Sequence, residues 1–414
     1  MARRAGAEAA VVGCLLFVAA CALPWIGLFR GHLGTSIFQH YGDSMLSGRL
    51  PYRDFSLEYP PGSLPAFAVP SFGPSRDYDS WFMAFEAGCG FACVGLVGLV
   101  SRSRAAAAYC ALAPLALGPL TLHRYDLWAA ALATAGLVAV VRRRPELGAG
   151  VLGVAAAAKI FPVVLLPLLL ARAGWRALAA FAVGLAVVLL PFMTLAPGGV
   201  RYAFERQAGR ALQLESVGSA GLLALHTAGA YEPTVVFGRG SWNLSGGVPT
   251  ALAVLLTVLQ VAAVVLVWWL YARGPRTAER SLAAATAAVA VWIAFAKVLS
   301  PQFLLWLVPL VALLRAPRHA VLLLAVLGLT QAVYPGRYDA LVGLQTVPVA
   351  LLAARDAVLL VLAGWLVADL QRQGVSQEVR RQRERSESGD GVLLDRRQGD
   401  SPDGVPGLEP GGGE

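Results

Sequence analysis

Apolar runs recur along most of the chain and are separated by short polar segments. The runs are about 20 residues long, which is the length of a helix that spans the hydrocarbon core of a bilayer. They are continuous and do not alternate between apolar and polar positions, so they predict helices rather than membrane-barrel strands. The pattern therefore predicts an all-α polytopic bundle of about 10–12 spans, short broken helices included.

One apolar segment, residues 147–171, is long enough for a single span but carries Lys159 and Pro162 in its interior. We expect two short helices that meet near Lys159, because broken helices are tolerated where they line a protein cavity. The other predicted spans are 9–29, 82–100, 105–121, 127–141, 177–195, 248–271, 281–298, 303–314, 320–334 and 345–369.

The polar segments divide the chain into an integral membrane domain, 1–370, and a tail, 371–414. Two loops are long, 30–80 and 196–247. Within the first of them we predict a short interfacial helix at 37–47. The tail is rich in Arg, Glu, Gln, Gly and Pro, so we predict that it is disordered and cytoplasmic.

Composition and charge fit this picture. The chain is 57% hydrophobic and 14% charged, whereas soluble domains carry about 25% charged residues. The net charge of +9 comes from arginines between spans and in the tail, where the positive-inside rule places them, and not from a nucleic-acid surface. We predict a multi-pass plasma-membrane protein with both termini in the cytoplasm and the following basic loops inside: 102–104, 142–144, 172–176, 273–280 and 315–318.

Cysteines suggest neither disulfides nor a metal site. All five lie in apolar runs, and none has metal-ligand spacing with a histidine. We interpret them as small packing residues and expect no metal and no cofactor.

Mixed acids, bases and aromatics gather on the predicted outer side, in the two long loops and three short connections. A transporter is expected to place its polar groups near the midplane of the bilayer. The distribution therefore favours chemistry or binding at the outer interface, although a transporter or lipid flippase and a non-catalytic scaffold remain alternatives.

The first outer loop carries three candidate general bases, Asp43, Asp54 and Glu58. A carboxylate beside an acceptor hydroxyl can take its proton. The structural alternative is that Arg49 and Arg53 pair with these acids and fold the loop.

Only two of the 34 basic residues are lysines, Lys159 and Lys297, and each ends an apolar run shortly before a proline. An ammonium at that depth is costly unless it meets an anion or reaches the interface. We predict that both bind one donor phosphate, with Arg210 as a third cation. The alternative is that both lysines simply snorkel to the interface.

Further candidates for substrate binding are Arg124, Asp126, Gln213, Glu215 and Gln302. The triplet Arg-Tyr-Asp occurs at 124–126 and again at 337–339, each time just outside a span, where interfacial caps are the alternative interpretation. Helical spacing would place Arg210 and Gln213 on one face and Glu215 on another.

Four motifs together resemble one family: PYRDF…EYPPG, AAAAKIFPVVLLP, RALQLES and KVLSPQFLLWLVPL. They are similar to the polyprenyl-phosphate-mannose-dependent mannosyltransferases of glycosyltransferase family 87, in the GT-C class. The resemblance implies an inverting transfer from a polyprenyl-phosphate sugar on the outer face, without a nucleotide sugar and with a catalytic acid in the first outer loop.

The sequence departs from that family at the start of the loop, where an acid is expected shortly before Tyr41. Gly34, Thr35 and Ser36 stand there instead. Either the acid role falls to one of the three first-loop carboxylates, or this member is altered or inactive.

The resulting prediction is a GT-C membrane hexosyltransferase that moves mannose from a polyprenyl-phosphate donor to an envelope glycolipid or glycan. In this mechanism a first-loop carboxylate deprotonates the acceptor, and the cations stabilise the phosphate leaving group. Donor, acceptor and membrane lipid are the expected partners, without nucleic acid.

Overall fold

The computed structural model describes residues 2–23 and 33–398. The end of the predicted first span, the first residues of the loop 30–80 and residues 399–414 of the tail lie outside this part of the chain. The described helices are α1 Ala2–Cys21, α2 Ser36–Leu46, α3 Leu64–Ala68, α4 Tyr78–Ser101, α5 Arg104–Leu112, α6 Asp126–Val141, α7 Pro145–Ala158, α8 Leu166–Ala173, α9 Trp175–Leu195, α10 Pro197–Ala208, α11 Val217–Thr227, α12 Gly247–Ala272, α13 Ala278–Ala294, α14 Leu307–Leu314, α15 Pro317–Val333, α16 Tyr338–Val342 and α17 Thr346–Gln398.

The all-α polytopic membrane fold is confirmed. Five helices of the described chain are long and apolar enough to cross a membrane: Arg3–Cys21, Ser75–Ser101, Trp175–Leu195, Gly247–Ala272 and Thr346–Gly374. Shorter apolar helices fill the space between them, including α6, α7, α11 and α15. The predicted helix at 37–47 is present as α2.

The split of the segment 147–171 is also confirmed. Helix α7 ends at Ala158, Lys159 has extended backbone angles, and a 3₁₀ segment at Phe161–Leu165 leads into α8. Pro162 sits in the first turn of that segment, where the missing N–H costs nothing.

The C-terminal ends of α7 and α9 both contact the first loop. Gly62 of the first loop packs on the backbone of Ala157 and Ala158 at the end of α7. Tyr52 of the same loop packs on Phe192 near the end of α9, with 5.5 Å between ring centroids. Since both helices end at the first loop, the chain between them must return to the opposite side of the molecule.

The second long loop contains a sheet that the sequence interpretation missed. Strands β1 Leu212–Gln213, β2 Thr234–Gly238 and β3 Ser241–Ser245 form an antiparallel sheet in the order β1-β3-β2. The expectation that Arg210 and Gln213 share a helical face is wrong, because Gln213 pairs with Asn243 in this sheet.

Three apolar cores organise the described residues. The largest lies among the spans, a second joins the first loop to α10, and a third joins β1, α11 and α12 to α16 and α17. Helix α17 continues to Gln398, past the predicted domain boundary at residue 370. The low apolar content of residues 371–414 led to the prediction of a disordered tail, but such a composition does not prevent helix formation, and residues 371–398 are helical.

Candidate active site

Asp54 folds the first loop. Its carboxylate accepts the Leu50 N–H at 2.7 Å and pairs with Arg53, with 2.9 Å between Nε and Oδ1. Arg49 donates to the Asp54 carbonyl at 2.7 Å. The hydrogen bond from Arg53, followed by that from Leu50, lowers the pKa of Asp54 to about 2. Such a carboxylate is a poor proton acceptor at neutral pH.

The other two first-loop acids lie in different surroundings. Asp43 is half-buried on α2, a helix that packs mainly on α3 and the turn at 70–72. Glu58 reaches α10, where its Oε1 lies 2.5 Å from the Arg206 Nε and its carbonyl accepts from Gln207 at 3.1 Å.

The start of α6 holds a buried ion pair. Lys159 Nζ lies 2.7 Å from Asp126 Oδ1, and the Trp306 indole donates to the same oxygen at 2.9 Å. Aromatic rings surround the ammonium, with Tyr125 at 4.3 Å and Phe303 at 5.0 Å. The Lys159 charge is therefore matched by Asp126 and by ring faces.

Glu86 is a buried acid that sequence reasoning missed. Its Oε2 accepts the backbone N–H of Leu127 at 2.9 Å and of Trp128 at 3.3 Å. A carboxylate is stabilised at a helix N-terminus, so Glu86 fixes the first turn of α6. The sequence does contain a signal for this residue, because Glu86 is the single charged residue in the predicted span 82–100.

Arg124 precedes that turn and points to other partners. It donates to the His123 carbonyl at 2.7 Å and to the Leu33 carbonyl at 3.4 Å, and its charge acts on Tyr334, which follows α15. Gln302 is half-buried in the 3₁₀ segment Pro301–Trp306, the segment that supplies the rings over Lys159.

Lys297 lies at the end of α10, far along the chain from Lys159. Its ammonium donates to the Ala208 carbonyl at 2.9 Å, and Arg239 donates to the Arg206 carbonyl at 3.1 Å. Both cations cap the C-terminus of α10, where the helix dipole favours positive charge. Burial, then the charges of Arg210 and Arg239, lower the pKa of Lys297.

Arg210 joins this group of cations. Burial lowers the pKa of Arg210, while Tyr59, Glu58 and Glu215 raise it. Its Nε is buried with no hydrogen-bond partner among the described residues. A guanidinium placed in this way can accept an anionic ligand.

Glu215 and Gln213 follow Arg210 closely in the chain, and the charge of Glu215 acts on Arg210. Gln213 Nε2 donates to Glu215 Oε2 at 2.9 Å, and the Tyr338 hydroxyl donates to the same oxygen at 3.3 Å. Burial raises the pKa of Glu215 to about 7, against the lowering effect of Arg355, Tyr338 and Gln213. The sequence pointed to Tyr338 through the second Arg-Tyr-Asp triplet, at 337–339. No sequence pattern pointed to Arg355.

Tyr59 is a buried tyrosine on which the charges of several candidate residues act. Burial raises the pKa of Tyr59, and the charges of Arg124, Glu58, Asp126 and Arg210 all act on it. Its ring packs on Tyr125 with 5.2 Å between centroids. The structure thus brings together candidates from both long loops and from α6. In the described chain no group of His, Cys, Asp and Glu residues could hold a metal ion.

A comparison with protein families shows which family the chain belongs to. The family model described as "Glycosyltransferase family 87" matches residues 57–301, more than half of the chain. The matched region begins one residue before Glu58 and contains Lys159, Arg210 and Lys297. No curated protein matches the sequence.

Proposed function

Since the chain belongs to glycosyltransferase family 87, we propose that it transfers a hexose, and specifically mannose, from a polyprenyl-phosphate donor to an envelope glycolipid or glycan. The protein is a membrane glycosyltransferase. We further propose that the donor is a lipid phosphate and that it binds on the side of the molecule that carries the first loop. This side would be the outer face of the plasma membrane.

The observation that carries the proposal is the convergence of Arg210, Arg239 and Lys297. Burial, followed by the charges of Arg210 and Arg239, lowers the pKa of Lys297, so these cations repel one another in the protein alone. A phosphate placed among them would relieve this repulsion, and Arg and Lys are the residues that bind phosphate best.

The proposed reaction uses Arg210 and Lys297 at the leaving group. The acceptor hydroxyl oxygen forms a bond to the anomeric carbon, and the bond from that carbon to the phosphate oxygen breaks with inversion. The electron pair goes to the phosphate, where the two cations stabilise the developing charge. Glu58 takes the hydroxyl proton, because it is the first-loop acid that pairs with Arg206 of α10 and whose charge acts on Arg210.

The remaining candidates receive supporting roles. We assign Lys159 and Asp126 to holding the turn at 123–126, since they neutralise each other. Arg124, which belongs to this turn and whose charge acts on Tyr334, would then contact the bound substrate, and Gln302 would line the same region.

Membranes that contain the protein should transfer label from radiolabelled polyprenyl-phosphate mannose to a glycolipid or glycan. Arg210→Ala should raise the donor KM about ten- to a hundredfold, the worth of a charge-assisted bond. Arg76→Ala is the matched control, because Arg76 is an exposed first-loop arginine whose ion pair, among the described residues, is with its neighbour Asp77.

The same assay tests the base. Glu58→Gln should lower kcat about 10²–10⁴-fold, whereas Asp54→Asn should leave kcat within a few-fold. Donor-dependent transfer that survives both Arg210→Ala and Glu58→Gln unchanged would contradict the assigned site. Movement of intact donor lipid across the membrane without transfer would show a flippase instead.

A further inference from the structure

We propose that Glu215 is a positioning residue for the transfer: with Tyr338 and Gln213 it holds Arg210 in place to receive the donor phosphate. This inference rests on the proposed function. It gives a role in the site to Tyr338, a residue that lies beyond the family-matched region 57–301.

Burial decides between a positioning and a catalytic role. Glu215 is only 3% exposed, and one of its carboxylate oxygens already accepts two hydrogen bonds, from Gln213 and Tyr338. Arg355 is bonded to the Glu215 backbone carbonyl and not to the carboxylate oxygens. The carboxylate is thus held by neutral donors inside the protein.

The segment that carries Arg210 is fixed at neighbouring points. The Gln213 N–H donates to the Lys297 carbonyl at 3.0 Å, and the Leu214 N–H donates to the Trp242 carbonyl at 3.0 Å. Arg210 and Lys297, the two proposed phosphate ligands, are therefore connected through the short backbone segment from Arg210 to Gln213. Because Glu215 follows this segment directly, a change in its contacts should move the phosphate ligands.

The charge of Glu215 acts on Arg210 as well. Glu215 raises the pKa of Arg210, so its ionised form attracts the guanidinium. The other charged or titratable groups that face Glu215 are Tyr334 after α15, Tyr338 in α16, and Arg355 and Asp356 in α17. Arg355 favours the ionised carboxylate, whereas Asp356 opposes it.

The sign of the pH effect follows from these contacts. Burial raises the pKa of Glu215 to about 7, so the attraction for Arg210 is present above that pH and is lost as the pH falls through it. The Tyr338 hydroxyl stabilises the ionised form, so its removal should raise the pKa further. The low-pH side of the donor-binding profile should then move to higher pH.

The experiment measures kcat and donor KM of the full-length protein in membranes across roughly pH 5 to 9, with radiolabelled polyprenyl-phosphate mannose as donor. Tyr338→Phe should shift the acid limb of kcat/KM upward by about half to one pH unit. Glu215→Gln should raise the donor KM about tenfold at high pH, change kcat less than about threefold, and remove the acid limb.

Tyr109→Phe is the control, because it removes a hydroxyl that donates only to the Ala320 carbonyl, at 3.4 Å. If Glu215→Gln does not fold, Tyr338→Phe, which deletes one oxygen atom, decides the question by its pH profile. A profile that stays unmoved in Tyr338→Phe overturns the inference, and so does a Glu215→Gln variant that loses kcat with an unchanged donor KM.

The Arg210→Ala variant separates the two proposals. If Arg210→Ala raises the donor KM while the Glu215 and Tyr338 variants do not, only the positioning role fails. If Arg210→Ala itself leaves the donor KM unchanged, the phosphate site of the proposed function fails first.

Discussion

At the scale of single residues, the two lysines of the chain show that the neighbours of an ammonium group decide whether it can bind an anion. Lys159 is 12% exposed and bonded to the fully buried Asp126. Lys297 bonds a backbone carbonyl and faces other cations. One ammonium is neutralised within the protein, and the other is left in a positive environment that suits an anion.

Lys159→Met and Asp126→Asn should each destabilise the protein, because each leaves the other charge buried without its partner, at a cost of about 3–5 kcal/mol. The double variant should recover much of this loss, since it removes both charges. Thermal inactivation in detergent measures the effect. Arg201→Met is the control, because the pair of Arg201 with Glu205 is 78% and 60% exposed and contributes little.

Lys297→Met should instead leave stability nearly unchanged and weaken donor binding. Its effect on donor KM should add to that of Lys159→Met, since the two lysines have different partners. Strong coupling between them in donor KM would instead support one phosphate shared by both.

At the scale of elements, the helices could be predicted and the small sheet could not. Span length depends on the length of an apolar run, which is local, and the break at Lys159 is marked by a charge and a proline. Strands of two to five residues carry too short a pattern to stand out. Arg239 and Gly240, both with positive φ, form the tight turn between β2 and β3.

Helices α7 and α9 approach each other through glycines. A Cβ at Gly184 would lie 2.0 Å from the Gly150 carbonyl oxygen, and one at Gly153 would lie 2.1 Å from that of Phe181. Close backbone contact of this kind stabilises helix pairs in membranes.

Gly184→Ala and Gly153→Ala should therefore force α7 and α9 apart and lower the inactivation temperature in detergent, although alanine is the better helix former. Because α7 ends at Lys159, transfer activity should fall as well. Gly88→Ala in α4 is the control, since a Cβ there meets no atom within 4 Å. Equal stability of all three variants would show that the close approach contributes nothing.

At the scale of the whole molecule, the site depends on contacts that no local pattern encodes. Glu58 meets Arg206 across 148 positions of sequence, and Glu215 meets Tyr338 across 123. The sequence could supply the candidates because polar residues are rare in this chain. It offered the pairing of Asp54 with Arg49 and Arg53 as an alternative, because these residues are close in sequence. It could not show that Asp126 neutralises Lys159, since these two residues lie 33 positions apart.

The two ends of the molecule should face opposite sides of the membrane. Since α7 and α9 both end at the first loop, Trp175 at the start of α9 lies at the other end, about 30 Å away along a helix of this length. The basic loops before α7 and after α14 should share that end in the cytoplasm. Glu232, in the second long loop, should lie outside with the proposed site.

Cysteine labelling in intact cells tests this topology. In a background without the native cysteines, Glu232→Cys should react with a membrane-impermeant maleimide, whereas Trp175→Cys should react only after permeabilisation. Both positions are well exposed, with 89% for the Glu232 side chain and 74% for Trp175, so lack of access within the protein does not explain a negative result. Labelling of both from outside would mean that the segment 147–173 crosses the membrane once, and it would place the arginines that follow on the same side as the proposed donor site.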